Sequence, residues 1–446
     1  MFTPNKLKYI LHHFKLLFGF DAETLISYGF NSKSKIQINN SGSSFFDGNS
    51  PLPRKKTAIK WKDSEIPFLF TEERKEILEI RDGIAYINYD IISNAFFYLS
   101  GWQEYFNEKK DVHGRFPWKE SIQYELKISG IPVVNYYFDI LKTAVETVTG
   151  KKLNVDLWNG NPPFVSFISH DIDKCKSAWK EGVLGELGKG NFFSPYGLFM
   201  EKIFGNDAWF NFDELQEVDN HFIVKPTYFF IGRYGKENGI WNADYRIERD
   251  DMQTVLHDLS ISGCEVGIHG SFGTHLDPDK LKNEMVKINR DIYGNRFHFL
   301  KFDAQKSPGV LEKAGVQYDS TLGFAEQPGF RHGFCFPFFL YDLTDDRMTN
   351  VLEVPLTVMD ATLLEKKYLG LTPGEALPFV IKIISEIKKF NGCFTLLWHN
   401  NTISEFKYSG WRKVYEGILE YISAQNTVFL SGRDIYEAVS RRGDRH

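Results

Sequence analysis

Three short segments of this 446-residue chain place ionisable side chains where they could do chemistry together. In SHDID, Asp171 and Asp173 stand two residues apart at the end of the apolar run PFVSFIS, and the period of two of extended chain turns both carboxylates to one side. Two like charges held side by side suit a site in which one carboxylate binds a metal ion and the other, kept ionised by the cation, acts as a base. Solvated loop aspartates capping the next helix would leave the same trace. GIHGSFGTHLD ends a second apolar run with His269 and sets His275 in the loop beyond it. Imidazole nitrogen suits zinc and its first-row neighbours; the plainer alternatives are a hydrogen-bonded structural histidine at 269 and a loop residue before the Asp277 helix cap at 275. CFTLLWHN ends a third run with His399, between Trp398 and Asn400. A histidine near carboxylates can stay protonated and give its proton to a leaving group, or it can be a buried ring satisfied by Asn400.

The elements that would position these residues follow from the spacing of apolar side chains. Beyond about residue 155, apolar runs at 163–169, 226–232, 264–269, 298–302, 351–358, 393–399 and 427–431 alternate with segments of helical spacing such as RDDMQTVLHDLSIS and PGEALPFVIKIISEIKKF. That alternation predicts strand–helix units around a parallel sheet, curled as a (β/α) barrel whose active residues lie where strands end. An irregular stretch, KCKSAWKEGVLGELGKGNFFSPYG, interrupts the pattern after the first strand. Upstream, Leu7, Ile10, Leu11, Phe14, Leu17 and Phe18 mark an amphipathic helix, short strands and loops fill 20–60, and helices are expected around 92–106 and 133–148. TGKKLNVDLWNGNPP reads as a linker. The expected division is an α+β accessory domain over 1–155 and an α/β barrel over 156–446.

Composition bounds the function. Lys and Arg number 53 against 58 Asp and Glu, a net charge of -5 that offers no electrostatic reason for a nucleic-acid partner. Cys175, Cys264, Cys335 and Cys393 are scattered with no CxxC pair, which argues against a disulfide framework or a zinc knot and fits a reducing compartment. His12, His13 and Lys15 interrupt the N-terminal apolar stretch, so it is not read as a secretion signal, and no run is long enough to span a bilayer. A cytoplasmic location is the expectation. Oligomeric state is not legible.

Taken together, SHDID, HGSFGTH and LLWHN resemble the aspartate, metal-histidine and late-histidine motifs of the polysaccharide deacetylase (NodB-homology) family, over about residues 163–440. The segments SNAFFYLSGWQEYF, DVHGRFPW and YDSTLGFAEQPGFRHG further resemble a subgroup that carries an N-terminal domain of unknown function. The resemblance implies a distorted (β/α) barrel of the NodB type holding a divalent metal, zinc foremost. Asp171 would be the general base, Asp173 and His269 metal ligands, and His399 the general acid. In the family the second histidine follows the first at i+4, whereas position 273 here is Gly and the next histidine is His275 at i+6. His275 is the candidate third ligand. The family's arginine-proline motif is not visible in HFLKFDAQKSPGVLEKAGVQYDSTLGF.

Around that site, Arg331 in PGFRHG is a candidate to hold a substrate hydroxyl, carboxylate or phosphate or to orient Asp171, with a loop salt bridge as the equal alternative. Asp319 in QYDSTLGF could line the pocket or close a strand-end turn, and Trp398 could pack on a sugar face. His113 and Arg115, in DVHGRF, could reach across to the barrel mouth or simply fix a loop. The expected reaction is hydrolysis of a non-peptide amide, de-N-acetylation of an amino sugar in a glycan or glycan precursor. The alternatives are an allantoinase-like opening of a small amide and a carbohydrate-binding barrel with impaired catalysis.

Overall fold

The computed structural model describes residues 2–30, 33–181 and 207–443; most of the irregular stretch after the first barrel strand lies outside the described residues. The N-terminal part opens with helix α1 (Pro4–Phe18), started by proline in its first turn and closed by Gly19 in the left-handed conformation. Strands β1 (Ile26–Tyr28), β2 (Ile36–Ile38), β5 (Leu78–Arg81) and β6 (Ile84–Ile87) form a sheet in the order β1-β2-β6-β5, and β3 (Lys56–Trp61) and β4 (Ser64–Leu69) form a separate antiparallel hairpin. Helix α2 (Ile91–Leu99), capped by Asp90, is buried at every residue. The short α3 (Trp102–Tyr105) and α4 (Ile122–Glu125) and the long α5 (Val133–Thr149) complete this part.

Next come β7 (Val165–Ile172), α6 (Phe212–His221), β8 (Thr227–Phe230), β9 (Lys236–Glu237), β10 (Ile240–Trp241), α7 (Asp250–Ile261), β11 (Glu265–Gly270), α8 (Pro278–Ile288), β12 (Gly294–Phe297), α9 (Ser307–Ala314) and β13 (Tyr318–Asp319). The chain ends through β14 (Phe338–Asp342), β15 (Arg347–Glu353), β16 (Val358–Met359), α10 (Asp360–Leu364), α11 (Pro373–Lys389), β17 (Cys393–Leu397), α12 (Asn400–Ile403), α13 (Trp411–Ala424), β18 (Val428–Phe429) and α14 (Gly432–Gly443). Among the described residues ten strands make one sheet, ordered β14-β15-β13-β12-β11-β8-β7-β17-β16 with β18 also on β7. All its pairings are parallel except β14 on β15. β7 is buried along its whole length, as a strand covered on both faces must be.

Chain connectivity requires this sheet to curl. Glu353 ends β15 and Val358 begins β16, yet seven strand spacings separate β15 from β16 in the sheet order. A flat sheet would hold them about 34 Å apart, whereas five residues reach at most about 18 Å. The fold is therefore α/β, a distorted barrel with an N-terminal α+β region, and one contiguous hydrophobic core runs from Tyr9 and Phe14 of α1 to Ile435 of α14. Among the described residues no helix is long and apolar enough to cross a membrane.

Two expected strands are placed differently. The apolar run HFLKF is not a strand: β12 lies just before it in GNRF, and His298–Leu300 is a short turn. Polar Asn295 and Arg296 hid β12 from a hydrophobicity reading; both are fully buried because their side chains find buried partners. The run VLEVPLTV is two strands, the end of β15 and the start of β16, at opposite reaches of the sheet. β13 and β14 were not anticipated as strands.

Candidate metal centre

Five strands deliver ionisable groups to one end of the barrel. β7 carries Asp171 and is followed by Asp173, β11 carries His269, β12 is followed by His298, β16 by Asp360 and β17 by His399. Curling brings together strand ends that lie several spacings apart in the sheet. Asp173 Oδ1 stands 3.3 Å from His298 Nδ1, while Asp173 Oδ2 stands 3.8 Å from His399 Nε2.

Among the described residues, Asp173, His269 and His298 form a group whose ligand atoms all lie within 4.8 Å of one another, and their hydrogen bonding suits a cation. His269 Nδ1 is 2.7 Å from the Arg296 carbonyl and His298 Nε2 is 3.2 Å from the Trp241 carbonyl. A carbonyl only accepts, so these outer nitrogens carry the hydrogens; in the neutral form that binds a metal, the rings turn lone pairs inward from His269 Nε2 and His298 Nδ1. Those inner nitrogens are 3.1 Å apart, and Asp173 Oδ1 lies 3.2 Å from the first and 3.3 Å from the second. Buried Asp173 Oδ1 makes no well-formed hydrogen bond. Three acceptors thus face one point. Ligands about 2.0–2.1 Å from a first-row divalent ion stand about 3.0–3.4 Å apart at neighbouring corners of an octahedron or tetrahedron, so the spacing fits such an ion.

Two further groups flank the ligands. Asp171 Oδ1 accepts a 2.9 Å hydrogen bond from Arg296 Nη1, which also donates to Ser169 Oγ, while Arg296 Nε and Nη2 donate to the carbonyl and hydroxyl of Ser320. This fully buried guanidinium also lies over the Phe229 ring at 4.6 Å. It fixes Asp171 and leaves Oδ2 facing the centre, 3.6 Å from His269 Nε2. On the other side, Asp360 accepts 2.7 Å from His399 Nδ1 and 2.8 Å from the His399 backbone N–H, which leaves Nε2 free to act. Burial would lower the His399 pKa; the charge and hydrogen bond of Asp360, with the charges of Asp173 and Asp171, outweigh it and raise the imidazole to about 10. The side chains of Asp173 and His399 are 27% and 18% exposed against 2% for Asp171 and His269, so access to the centre is along Asp173 and His399.

The structure gathers Asp171, Asp173, His269 and His399, and turns the other anticipated residues elsewhere. His275 sits in the one-turn helix Thr274–Leu276 with its ring 6.1 Å from that of Phe297, outside the ligand group. Position 273 has φ +88°, a left-handed backbone that glycine adopts freely and histidine does not. Arg331 is committed to an ion pair with Glu104 and to the Gly323 carbonyl. Asp319 is buried against Asn295 and Thr321, its carboxyl pushed up by burial. Trp398 is fully buried on Trp411 and Tyr415, with no face open to a sugar. Sequence reasoning did not find His298, Arg296 or Asp360. The signal for His298 was a histidine after an apolar residue, as at 269 and 399, and it was lost when 298–302 was taken for the strand itself.

Residues 3–150 match the model of a family of unknown function, DUF7033. No curated protein matches the chain. Among solved structures it is similar to a chain described as a polysaccharide deacetylase from Mycobacterium smegmatis, at 15% identity and a TM-score of 0.43 over 64% of this chain and 93% of that one. It is also similar to the PuuE allantoinase, at 9% and 0.42 over 63% and 91%, and to a chain described as a polysaccharide deacetylase from Pseudomonas aeruginosa PAO1, at 11% and 0.40 over 64% and 93%. At these identities and scores the functional reading rests on the residues of the site.

Proposed function

We propose that this protein is a metal-dependent hydrolase of a non-peptide C–N bond, acting on the N-acetyl group of an amino sugar in a glycan or glycan precursor. The observation that carries the reading is the convergence of Asp173 Oδ1, His269 Nε2 and His298 Nδ1, flanked by Asp171 and by a His399 paired with Asp360. Asp173, His269 and His298 would hold a divalent ion, zinc foremost, which would supply polarisation of the acyl carbonyl and acidification of water. Asp171 Oδ2, aimed by Arg296, takes a proton from the attacking water as its oxygen bonds to the acyl carbon. His399 Nε2, charged through Asp360, gives its proton to the nitrogen as the C–N bond breaks, leaving an amine and acetate. The amino-sugar class draws on the likeness of SHDID, HGSFGTH and LLWHN to the deacetylase motifs. In this reading the chemistry belongs to residues 156–446 and the accessory domain to 1–155.

The test is acetate release from N-acetylglucosamine oligomers by protein dialysed against chelator and reloaded with Zn²⁺ or Co²⁺. The expected result is one tightly held ion per chain and metal-dependent acetate. A chain that holds no stoichiometric metal and releases no acetate overturns the reading in favour of a binding barrel. Faster consumption of a cyclic ureide moves it to an allantoinase-like activity.

A further inference from the structure

The third ligand is held in a backbone that the barrel would not adopt unaided. Directly after His298, Phe299 (φ 62°) and Leu300 (φ 54°) both occupy the left-handed region. Each such residue with a side chain costs about 1–2 kcal/mol, and two in succession persist only where neighbours over-determine them. Below the turn, Leu300 packs in a small apolar cluster of its own with Ala325, Leu356, Met359 and Leu397, against which Tyr368 also packs. That cluster joins the β12 turn to the strand ends that precede Asp360 and His399.

Above the turn, what holds it comes from the N-terminal part of the chain. Arg115 Nη1 donates to the Phe299 carbonyl at 3.1 Å, and Arg115 Nη2 donates to the Tyr368 hydroxyl at 3.2 Å. One guanidinium therefore ties the turn carrying His298 to the segment that follows Asp360. The His113 ring stacks on Phe299, centroids 5.1 Å apart and planes within 12°, and Phe299 in turn lies 3.9 Å from the His298 ring. The arm is rigid in itself. Asp111 accepts from the backbone N–H groups of His113 and Arg115 and from Arg115 Nε at 2.7 Å. Gly114, at φ +78°, lets it approach so closely that a Cβ there would meet Lys301 Cε at 3.1 Å.

We propose that the Asp111–Arg115 arm is a brace for the metal centre, in which Arg115 and His113 hold the strained Phe299–Leu300 turn so that His298 presents Nδ1 to the ion. This assigns a role to the N-terminal region, and it rests on the metal reading of Asp173, His269 and His298. Arg115 is a positioning residue. It touches neither ion nor substrate, and its effect is on the geometry of a ligand.

The test is Zn²⁺ affinity by chelator competition, with the visible spectrum of the Co²⁺-loaded full chain as a second readout, for Arg115→Ala, Arg115→Lys, His113→Ala and His298→Ala. Arg115→Ala is expected to weaken Zn²⁺ binding about 10- to 100-fold, the usual effect of removing a group that orients a ligand. Its Co²⁺ spectrum should shift toward that of His298→Ala. Arg115→Lys should recover only part, since an ammonium cannot keep both bonds with the fork geometry of guanidinium. His113→Ala, which removes only the stacking, should weaken binding about threefold or more, and it decides the matter should Arg115→Ala not fold. Wild-type affinity and spectrum in the arm variants, with His298→Ala impaired, overturn the brace. Undiminished binding in His298→Ala overturns the ligand set itself.

Discussion

At the scale of single residues, the proposed function asks the site to separate three tasks that are chemically at odds: holding a cation, keeping a base ionised and keeping an acid protonated. Asp171 approaches His269 and His399 approaches Asp173, and each is differentiated by one buried partner, Arg296 for the carboxylate and Asp360 for the imidazole. Removing the base without removing charge-neutral shape separates catalysis from binding: Asp171→Asn is expected to lower kcat about 10²- to 10⁴-fold while Zn²⁺ affinity stays within a few-fold, checked by acetate release alongside chelator competition. Loss of the metal instead would make Asp171 a ligand. For the acid, Asp360→Asn removes the charge that raises His399 to about 10. The alkaline limb of the pH–kcat profile, where His399 loses its proton, should then move to lower pH and the plateau fall about 10²-fold or more. An unmoved limb would assign it to another group.

At the scale of elements, the ligand set reflects what each strand end permits. The turn after β11 passes through Gly273 at φ +88°, and a Cβ there would stand 3.2 Å from Lys280 Nζ. A histidine at that position would be strained and crowded, and the strand next to β11 supplies His298 in its place. Gly273→His should therefore fail to restore Zn²⁺ binding to a His298→Ala protein and should itself lower the unfolding free energy, read from urea titration, by about 1–2 kcal/mol. Recovery of wild-type affinity in the double variant would show that the β11 turn can host the ligand after all.

At the scale of the whole molecule, the N-terminal region and the barrel share one core and several buried polar ties. Arg331 pairs with Glu104 in the interior, Gln123 donates to the Arg331 carbonyl, and His13 bridges α1 to β14. His13 donates from Nδ1 to the Tyr9 carbonyl and accepts at Nε2 from the Phe339 N–H, so it must stay neutral. Burial lowers its pKa from 6.5 to about 3, with the neighbouring His12 acting the same way. The unfolded chain takes up this proton near pH 6.5 and the folded chain does not. The stabilisation is therefore complete above pH 6.5 and is lost progressively as pH falls toward 3, by up to about 1.4 kcal/mol per unit. Burial depresses His275 and His332, each to about 4, and they act in the same direction. Urea midpoints between pH 7.5 and 5 should show a shallower slope for His13→Gln than for wild type, with the two curves converging at low pH. Parallel curves would remove His13 from the acid response.

The residues of SHDID, HGSFGTH and LLWHN were legible because each ends an apolar run, and a strand end is where a parallel sheet exposes polar groups. The strand–helix alternation was legible for the same reason, since burial on both faces makes strands continuously apolar. His298, Arg296 and Asp360 were not, because their roles depend on which strands become neighbours. Arg296 and Asn295 look unlike strand residues until the buried partners that satisfy them are in place. The sequence by itself determined which ionisable residues stand at the strand ends and the class of the sheet. Only the tertiary structure decided which histidine stands with Asp173 and His269 and what Arg115 touches, because curling the sheet and docking the N-terminal region bring together groups that no local pattern connects.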